Sequence, residues 1–282
     1  MLKSFAGGRL FGATWGSGPA TVLALHGWCR SHADFDPVMA AAGPAVAAVG
    51  LDLNGFGATP PPPEAWGSPA YAEAVAAVFE ELVLADRVTI IGHSFGGRVA
   101  LHLEGLVPDR IERMVLTGVP LLDRADRRSQ VPLPYRVARR LHRSGLLGDG
   151  RMEALRQRHG SPDYRAATGV MREVFVRVLH EDYRDVMAGI PCPVDLVWGE
   201  ADTETPLEVA QRAVGLFPSA SLTVVDGVGH LLPTEAPDAL ARFMVGDPSR
   251  AGPVADGAVP TSTASDPPAS PVAGGRRSGG PT

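Results

Sequence analysis

The sequence contains little of what marks several large classes of protein. Only two cysteines, Cys29 and Cys192, occur among its 282 residues, which excludes a disulfide framework. The net charge is −5, which gives no case for a nucleic acid or an anionic membrane as a partner. No run of about 18 apolar residues is present, and the opening residues MLKSFAGGRL include no apolar segment like that of a signal peptide. We therefore expect a cytoplasmic protein.

The composition favours one globular α/β domain with an insertion, followed by a tail. Hydrophobic residues make up 45% of the chain, enough for a sizeable core. Residues 247–282 contain no leucine, isoleucine, methionine or aromatic residue, and they are rich in proline, glycine, alanine and serine. Such a segment buries too little apolar surface to offset the entropy that ordering costs. We predict a disordered tail over residues 247–282.

The most informative stretch is VTIIGHSFGGRV at residues 88–99. A short β-branched run leads into a serine flanked by glycines, Ser94, and residues with helical spacing follow. The G-x-S-x-G pattern accommodates a serine in a strained turn between a strand and a helix, where a neighbouring Cβ would collide. The N-terminal N–H groups of the helix point at the same spot. The pattern indicates a nucleophilic serine.

A serine hydroxyl becomes a good nucleophile when a histidine takes its proton and an acid orients that histidine. Asp202 follows an apolar run at 194–198, and His230 follows another at 221–225. The order serine, aspartate, histidine differs from that of the two best-known serine protease folds. Three further acids lie close to these positions: Glu200, Glu204 and Asp226.

With these motifs the chain resembles the serine α/β-hydrolases. The matching segments run in the family's order from about residue 20 to about residue 245: HGW at 26–28, DLNGFG at 52–57, GHSFGG at 92–97, WGEAD at 198–202 and GH at 229–230. The resemblance implies an α/β-hydrolase fold, with a mostly parallel eight-stranded sheet, helices on both faces and a small helical cap. It implies a core of residues 1–120 and 190–246 and a cap insertion over 121–189.

The resemblance also implies roles for individual residues. Ser94 would be the nucleophile, His230 the base and Asp202 its partner, since Asp202, and not its acidic neighbours, has the family's spacing. The backbone N–H groups of Trp28 and Phe95 would form an oxyanion hole, in which one donor is worth roughly 3–4 kcal/mol. No metal or other cofactor is implied.

Outside these motifs, strands and helices alternate along the chain. Strands are predicted at 4–6, 10–15, 21–25, 45–51 and 111–117, and helices at 34–42, 68–84, 206–216 and 235–244. A hairpin is predicted at the glycine pair 7–8. The alternation stops at Pro120, after which short helices broken by proline and glycine are expected up to about residue 189.

The insertion is rich in arginine and contributes most of the candidates for a pocket lining. Its arginines are Arg124, Arg127, Arg128, Arg136, Arg139, Arg140, Arg143, Arg151, Arg156, Arg158 and Arg165. We expect most of them to face solvent, whereas one or two facing inward would attract an anionic substrate. The candidates for an apolar lining are Leu121, Leu122, Tyr135, Phe175 and Leu231, each of which fits the core equally well.

Three functions fit these motifs. The first is a serine hydrolase, of the carboxylesterase type, that cleaves a small-molecule carboxylic ester through an acyl-enzyme. The second is another reaction at the same site, namely C–C or C–N cleavage, perhydrolysis or cofactor-free oxygen chemistry. The third is a ligand receptor that is not an enzyme. The expected partner is a small-molecule substrate, and the expected state is a monomer or a homodimer.

Overall fold

The computed structural model describes residues 2–79, 81–122, 133–159 and 162–244. Within the third range, the side chains of residues 133–136, 139, 149, 156, 157 and 159 are not described. The predicted tail at 247–282 lies outside the described residues. Among the described residues, no helix is both long and apolar enough to cross a membrane.

One eight-stranded sheet forms the centre of the molecule, and it confirms the predicted architecture. Its strands follow the spatial order β1-β2-β4-β3-β5-β6-β7-β8. Their bounds are β1 Leu2–Phe5, β2 Leu10–Trp15, β3 Ala20–Leu25, β4 Ala48–Asp52, β5 Leu84–His93, β6 Ile111–Thr117, β7 Val194–Gly199 and β8 Ala220–Val225. Strands β1 and β2 form the predicted antiparallel hairpin, β2 is antiparallel to β4, and all other neighbours are parallel.

Helices cover both faces of this sheet. Their bounds are α1 Asp36–Ala42, α2 Ser68–Phe79, α3 Phe95–Leu103, α4 Leu133–Arg143, α5 Asp149–His159, α6 Pro162–Ala166, α7 Gly169–Val178, α8 Arg184–Ala188, α9 Leu207–Ala213, α10 Leu232–Glu235 and α11 Pro237–Ala241. Helices α2, α3 and α9 contribute to one apolar cluster, and α1, α10 and α11 contribute to another. The parallel strands are therefore covered on both sides, as their continuous apolar sequences predict.

Alternation along the strands assigns side chains to the two clusters. In β3, Leu23 and Leu25 belong to the cluster with α2 and α3, whereas Val22 belongs to the cluster with α1 and α11. In β5, Ile90 and Ile91 are divided between the clusters in the same way, and both are fully buried. The two-sided core holds the carboxyl ends of the parallel strands in place, and the predicted site residues follow those ends.

Two helices differ from the sequence-based expectation. The helix that begins at Ser68 ends at Phe79 instead of residue 84, because the chain pairs with β3 from Val83 onward; the carbonyl of Val83 accepts a hydrogen bond of 2.8 Å from the N–H of Ala20. The helix predicted over 235–244 is replaced by two short helices, α10 and α11. Pro237 has no N–H to donate, and Ala236 before it has a non-helical φ of −141°.

Helices α4 to α8 lie between β6 and β7 and form the described part of the insertion. Arg98 of α3 contacts the chain at two points around this segment: its Nη1 donates to the carbonyl of Val178, at the end of α7, at 2.8 Å, and its Nη2 donates to that of Pro120, just before the insertion, at 3.4 Å. Its guanidinium also lies 5.4 Å from the ring centroid of Tyr183. The helix that follows Ser94 thus ties the insertion to the sheet.

Candidate active site

Ser94 lies at the turn between β5 and α3, in the strained backbone conformation that its motif predicts. Its φ is 48° and its ψ is −111°, outside the regions that L-residues normally occupy. Its N–H donates to the carbonyl of Thr117 at 2.9 Å, which ties the turn to β6. A Cβ on Gly96 would lie 2.1 Å from the carbonyl oxygen of Leu25, and one on Gly92 would lie 2.5 Å from Cα of residue 97. The two glycines let the turn pack directly on the sheet.

His93 connects this turn to the loop that carries His230. Its Nε2 donates to the backbone carbonyl of His230 at 3.0 Å, and the two imidazole rings lie 5.0 Å apart between centroids. Burial, together with the nearby charge of His230, lowers the pKa of His93 to about 3, so its ring is neutral. His93 therefore acts as a fixed hydrogen-bond donor that aligns the two loops.

His230 and Asp202 form a hydrogen-bonded pair. The Nδ1 of His230 lies 2.8 Å from Oδ2 of Asp202, and the Asp202 side chain is almost fully buried. The other oxygen of Asp202, Oδ1, accepts from the N–H groups of Glu204 at 2.9 Å and Thr205 at 2.7 Å. Both oxygens of the carboxylate are thus held, and the imidazole is oriented with Nδ1 toward the acid and Nε2 away from it.

Further carboxylates surround the free nitrogen of His230. Oε2 of Glu204 lies 3.6 Å from Nε2, on a side chain that is 66% exposed, and the charge of Asp163 in α6 acts on the same imidazole. Burial lowers the pKa of His230, but the hydrogen bond and charge of Asp202 and the charges of the other two acids raise it. The resulting pKa lies above the ordinary value.

The loop after β3 lies against the serine turn. A Cβ on Gly27 would lie 2.8 Å from Nδ1 of His93 and 3.3 Å from Cβ of Ser94, so glycine permits the close approach. His26 is fully buried, which lowers its pKa; its Nε2 accepts from the N–H of Leu53 at 3.0 Å, and its Nδ1 contacts the carbonyl of Gly27 at 2.7 Å. The neutral imidazole fixes the conformation of this loop.

Two backbone donors at the site have no partner in the part of the chain that the structure describes. Among the described residues, neither the N–H of Trp28 nor that of Phe95 donates to another group of the protein. Cys29, which follows Trp28, has a positive φ of 55°. These are the two N–H groups for which the family resemblance implies a role in an oxyanion hole.

An aromatic cluster lies beside these donors. The Trp28 ring contacts Phe56, Phe95 and Phe175, with centroid distances of 4.8, 5.4 and 5.0 Å. Its indole nitrogen is buried and has no hydrogen-bond partner among the described residues. Because Phe175 belongs to α7, this cluster joins the insertion to the loop after β3.

A cavity of about 360 Å³ opens next to this cluster. It is lined by Trp28, Cys29, Arg30, Gly55, Phe56, Gly57, Ala166, Ala167, Thr168 and Met171. Arg30 is paired with Asp34 through two contacts of 2.6 and 2.7 Å, so its charge is already compensated. The cavity lies between the core loops and α6 to α7 of the insertion.

The five predicted pocket residues are placed differently from one another. Phe175 contacts Trp28, and Leu231 is half-buried next to His230. Leu121 and Leu122 are buried and belong to the apolar core cluster. The side chain of Tyr135 lies outside the described part of the chain. None of the other four is among the residues that line the cavity.

The structure also shows where Cys192, Asp226 and Glu200 lie. Cys192 is buried. Asp226 is exposed in a turn, and Glu200 accepts from the N–H of Gly227 at 3.1 Å, so neither acid pairs with His230. No group of three or more metal-binding side chains occurs among the described residues.

The sequence did not predict that Glu204 and Asp163 would raise the pKa of His230. Glu204 is close in sequence to Asp202, but nothing in the sequence places α6 near His230.

Comparison of this sequence with models of protein families identifies its family. Residues 22–243 match the model of the alpha/beta hydrolase family, and this span includes every residue of the site described above. The chain belongs to this family. The eight-stranded sheet and the positions of Ser94, Asp202 and His230 at its strand ends fit the family's fold.

Individual relatives differ in what they act on. A 2-hydroxy-6-oxononadienedioate/2-hydroxy-6-oxononatrienedioate hydrolase of Cupriavidus pinatubonensis is 27% identical, over 82% of this chain and 87% of that protein. A thermophilic esterase from Thermogutta terrifontis superimposes with a TM-score of 0.61 at 20% identity, covering 86% of this chain and 96% of that one. A meta-cleavage product hydrolase from Pseudomonas fluorescens gives 0.61 at 19% identity, covering 86% and 95%. The two structural likenesses show the fold alone.

Proposed function

We propose that this alpha/beta hydrolase is a serine hydrolase that cleaves small carboxylic esters through an acyl-enzyme. The observation that carries the proposal is the convergence of three features at one end of the sheet. They are the strained turn at Ser94, the His230–Asp202 pair, and the N–H groups of Trp28 and Phe95, which have no partner among the described residues. A nucleophile, an oriented base and donors for a developing oxyanion are what acyl transfer requires.

The steps follow from the chemistry of these groups. Nε2 of His230 takes the hydroxyl proton of Ser94 as the serine oxygen attacks the ester carbonyl, and Asp202 stabilises the imidazolium that results. The N–H groups of Trp28 and Phe95 hold the oxyanion of the tetrahedral intermediate. The imidazolium then protonates the departing alkoxide, which leaves an acyl-serine. Water, deprotonated by the same nitrogen, releases the acid and restores the serine.

We infer that the helical insertion serves as a cap for this site. Phe175 packs against Trp28, and Ala167 and Met171 line the cavity from the side of the insertion. Arg98, in the helix after the nucleophile, donates to carbonyls at the start of the segment and at the end of α7. A covered site excludes water and strengthens the electrostatic interactions that stabilise the oxyanion.

Charge at the site favours a neutral ester over a dianionic substrate. Glu204 and Asp163 add negative charge near Nε2 of His230, and the guanidinium of Arg30 in the cavity is compensated by Asp34. A dicarboxylate would have to approach these carboxylates without a free cation among the lining residues. The second candidate is nevertheless C–C cleavage of a dienedioate, because the relative from Cupriavidus pinatubonensis carries that activity in its name.

The experiment is hydrolysis of p-nitrophenyl esters from acetate to dodecanoate, with cleavage of 2-hydroxy-6-oxononadienedioate measured in parallel. We expect ester turnover by the wild type, none by Ser94→Ala, and full activity in Ser219→Ala, which changes an exposed serine far along the chain. The acyl chain length of the ester with the highest kcat/KM would indicate the size of the pocket under the insertion. Faster cleavage of the dienedioate would favour the second candidate, and inactivity on every substrate by folded protein would favour a receptor.

A further inference from the structure

A strongly basic helical pair stands out in an acidic chain. Residues 133–159, which span α4 and α5, contain seven arginines and two acidic residues, Asp149 and Glu153, whereas the whole chain has a net charge of −5. This segment is therefore positively charged, although the chain as a whole is negatively charged. A basic helix of this kind is typical of surfaces that bind anions.

Exposed apolar side chains lie among these arginines. Val137, Leu141 and Leu146 are 50%, 39% and 77% exposed, and the last is the most exposed large apolar residue that the structure describes. Val137 and Leu141 are four residues apart on α4 and so share one side of the helix. The N–H of Leu146 donates to the carbonyl of Leu141 at 2.9 Å, which fixes the turn after α4 against the helix end.

The neighbouring arginines are free to bind a partner. Arg140 and Arg143 are exposed, and neither makes an ion pair or a side-chain hydrogen bond to the described residues. The docking face is defined here as Val137, Arg140, Leu141, Arg143 and Leu146. It joins arginines that have no ion pair among the described residues to exposed apolar groups, on α4 and the turn that follows it.

We propose that the docking face binds an anionic lipid surface. Arginines at the level of the headgroups attract the negative surface potential, while leucine and valine side chains enter the boundary with the acyl chains. A nucleic acid would engage the arginines and leave Leu146 and Val137 exposed to water. The predicted tail has no leucine, isoleucine, methionine or aromatic residue with which to cover the face. A second copy would bring like charges together.

This inference is independent of the proposed function, because the docking face contains no residue of the candidate active site. Binding of the docking face to lipid would bring the insertion to the lipid surface. The insertion contributes Phe175 and Met171 to the region around Trp28. Activity on soluble esters is expected to be unchanged by substitutions in the docking face, so that a failure of one proposal is distinguishable from a failure of the other.

The test is co-sedimentation of the full chain with vesicles. Vesicles of phosphatidylcholine alone are compared with vesicles containing about 30 mol% phosphatidylglycerol, a fraction that gives a negative surface potential. We expect binding to the anionic vesicles, weaker binding at high salt, and little binding to phosphatidylcholine. Arg140→Glu combined with Arg143→Glu should reduce binding to anionic vesicles about tenfold or more. Val137→Ser combined with Leu146→Ser should also weaken binding, but the remaining binding should decrease with salt as steeply as that of the wild type.

Matched controls change similar side chains elsewhere. Arg242→Glu alters an exposed arginine, and Val83→Ser alters a valine that is 70% exposed; both should bind like the wild type. Equal binding to both vesicle types, wild-type binding by the two docking-face variants, or equal losses in the controls would overturn the proposal. So would a dimer in solution that the docking-face substitutions dissociate, or binding to duplex DNA as tight as binding to anionic vesicles.

Discussion

Gly118 lies directly against the imidazole of His230. A Cβ on Gly118 would be 2.9 Å from Cε1 and 3.0 Å from Nδ1 of that ring, and the residue has a φ of +60°. Gly118 follows β6 immediately, so the end of this strand forms one wall of the space that the histidine occupies. Glycine permits the ring to reach Asp202 because any side chain would overlap it.

Gly118→Ala should therefore displace His230. We expect kcat/KM on an ester to fall about a hundredfold, since a shift of about 1 Å in a catalytic group costs that much. Gly215→Ala is the control, because a Cβ there meets nothing within 4 Å. Thermal unfolding of both variants separates displacement from loss of the fold. Wild-type kcat/KM in Gly118→Ala would contradict the placement of His230.

Asp202→Asn should remove the oriented charge behind His230 while preserving the shape of the site. An asparagine can present its NH2 to Nδ1 and favour the wrong tautomer, and the corresponding change in a serine protease lowers kcat about 10⁴-fold. The matched control is Asp226→Asn, an exposed acid close in sequence that contacts neither residue of the pair. Steady-state kinetics on one ester measure both, and equal effects of the two substitutions would contradict the assignment.

Glu204→Gln should alter the pH dependence of the reaction. The carboxylate lies 3.6 Å from Nε2 and contributes to the raised pKa of His230, whose neutral form is the base. Its removal lowers this pKa, so the acidic limb of the kcat/KM profile moves to lower pH. Because Glu204 is 66% exposed, high salt should move the wild-type limb in the same direction.

Glu208→Gln, which changes an exposed glutamate in α9, serves as the control for that profile. Its acidic limb should coincide with that of the wild type. A shift of the Glu204→Gln limb to higher pH would show that the carboxylate does not act on the imidazole as the geometry indicates.

The neutral, buried His93 should make the fold less stable in acid. Burial lowers its pKa from the ordinary 6.5 to about 3, so the unfolded chain binds a proton that the folded chain does not. The free energy of unfolding consequently decreases as pH falls from 6.5 toward 3, by about 1.4 kcal/mol at pH 5.5 for one such histidine. Urea unfolding at pH 7.5 and 5.5 measures the loss.

His93→Gln should unfold more easily at pH 7.5 and lose less stability on acidification. His180→Gln, in an exposed position, should retain the wild-type dependence. An equal loss of unfolding free energy on acidification in His93→Gln and in the wild type would contradict a neutral His93.

Local sequence patterns were sufficient for the strands and for the residues at their ends. The β-branched run before Ser94 and the two apolar runs before Asp202 and His230 specify buried parallel strands, and parallel strands bring their carboxyl ends to one edge. The choice of Asp202 and not Asp226 as the partner of His230 came from the spacing that the family resemblance implies, and the contact of 2.8 Å between Nδ1 and Oδ2 agrees with it.

Local sequence patterns did not predict contacts between residues that are far apart in the sequence. The end of α2 at Phe79 is decided by pairing of the following residues with β3, and helical propensity carries no information about that pairing. The approach of Asp163 to His230 depends on how the insertion folds back over the sheet. The tight fit of Gly118 against the imidazole depends on a positive φ that a single glycine in the sequence does not reveal.

The most direct measurement is reaction of the intact protein with a fluorophosphonate probe, followed by mass spectrometry of its peptides. A serine activated by His230 should form one adduct, located on Ser94, and Ser94→Ala and Asp202→Asn should lose most of the labelling rate. Labelling of Ser94 at the rate of the wild type is expected for Asp226→Asn. No adduct on folded protein, or an adduct on another serine, would contradict the account.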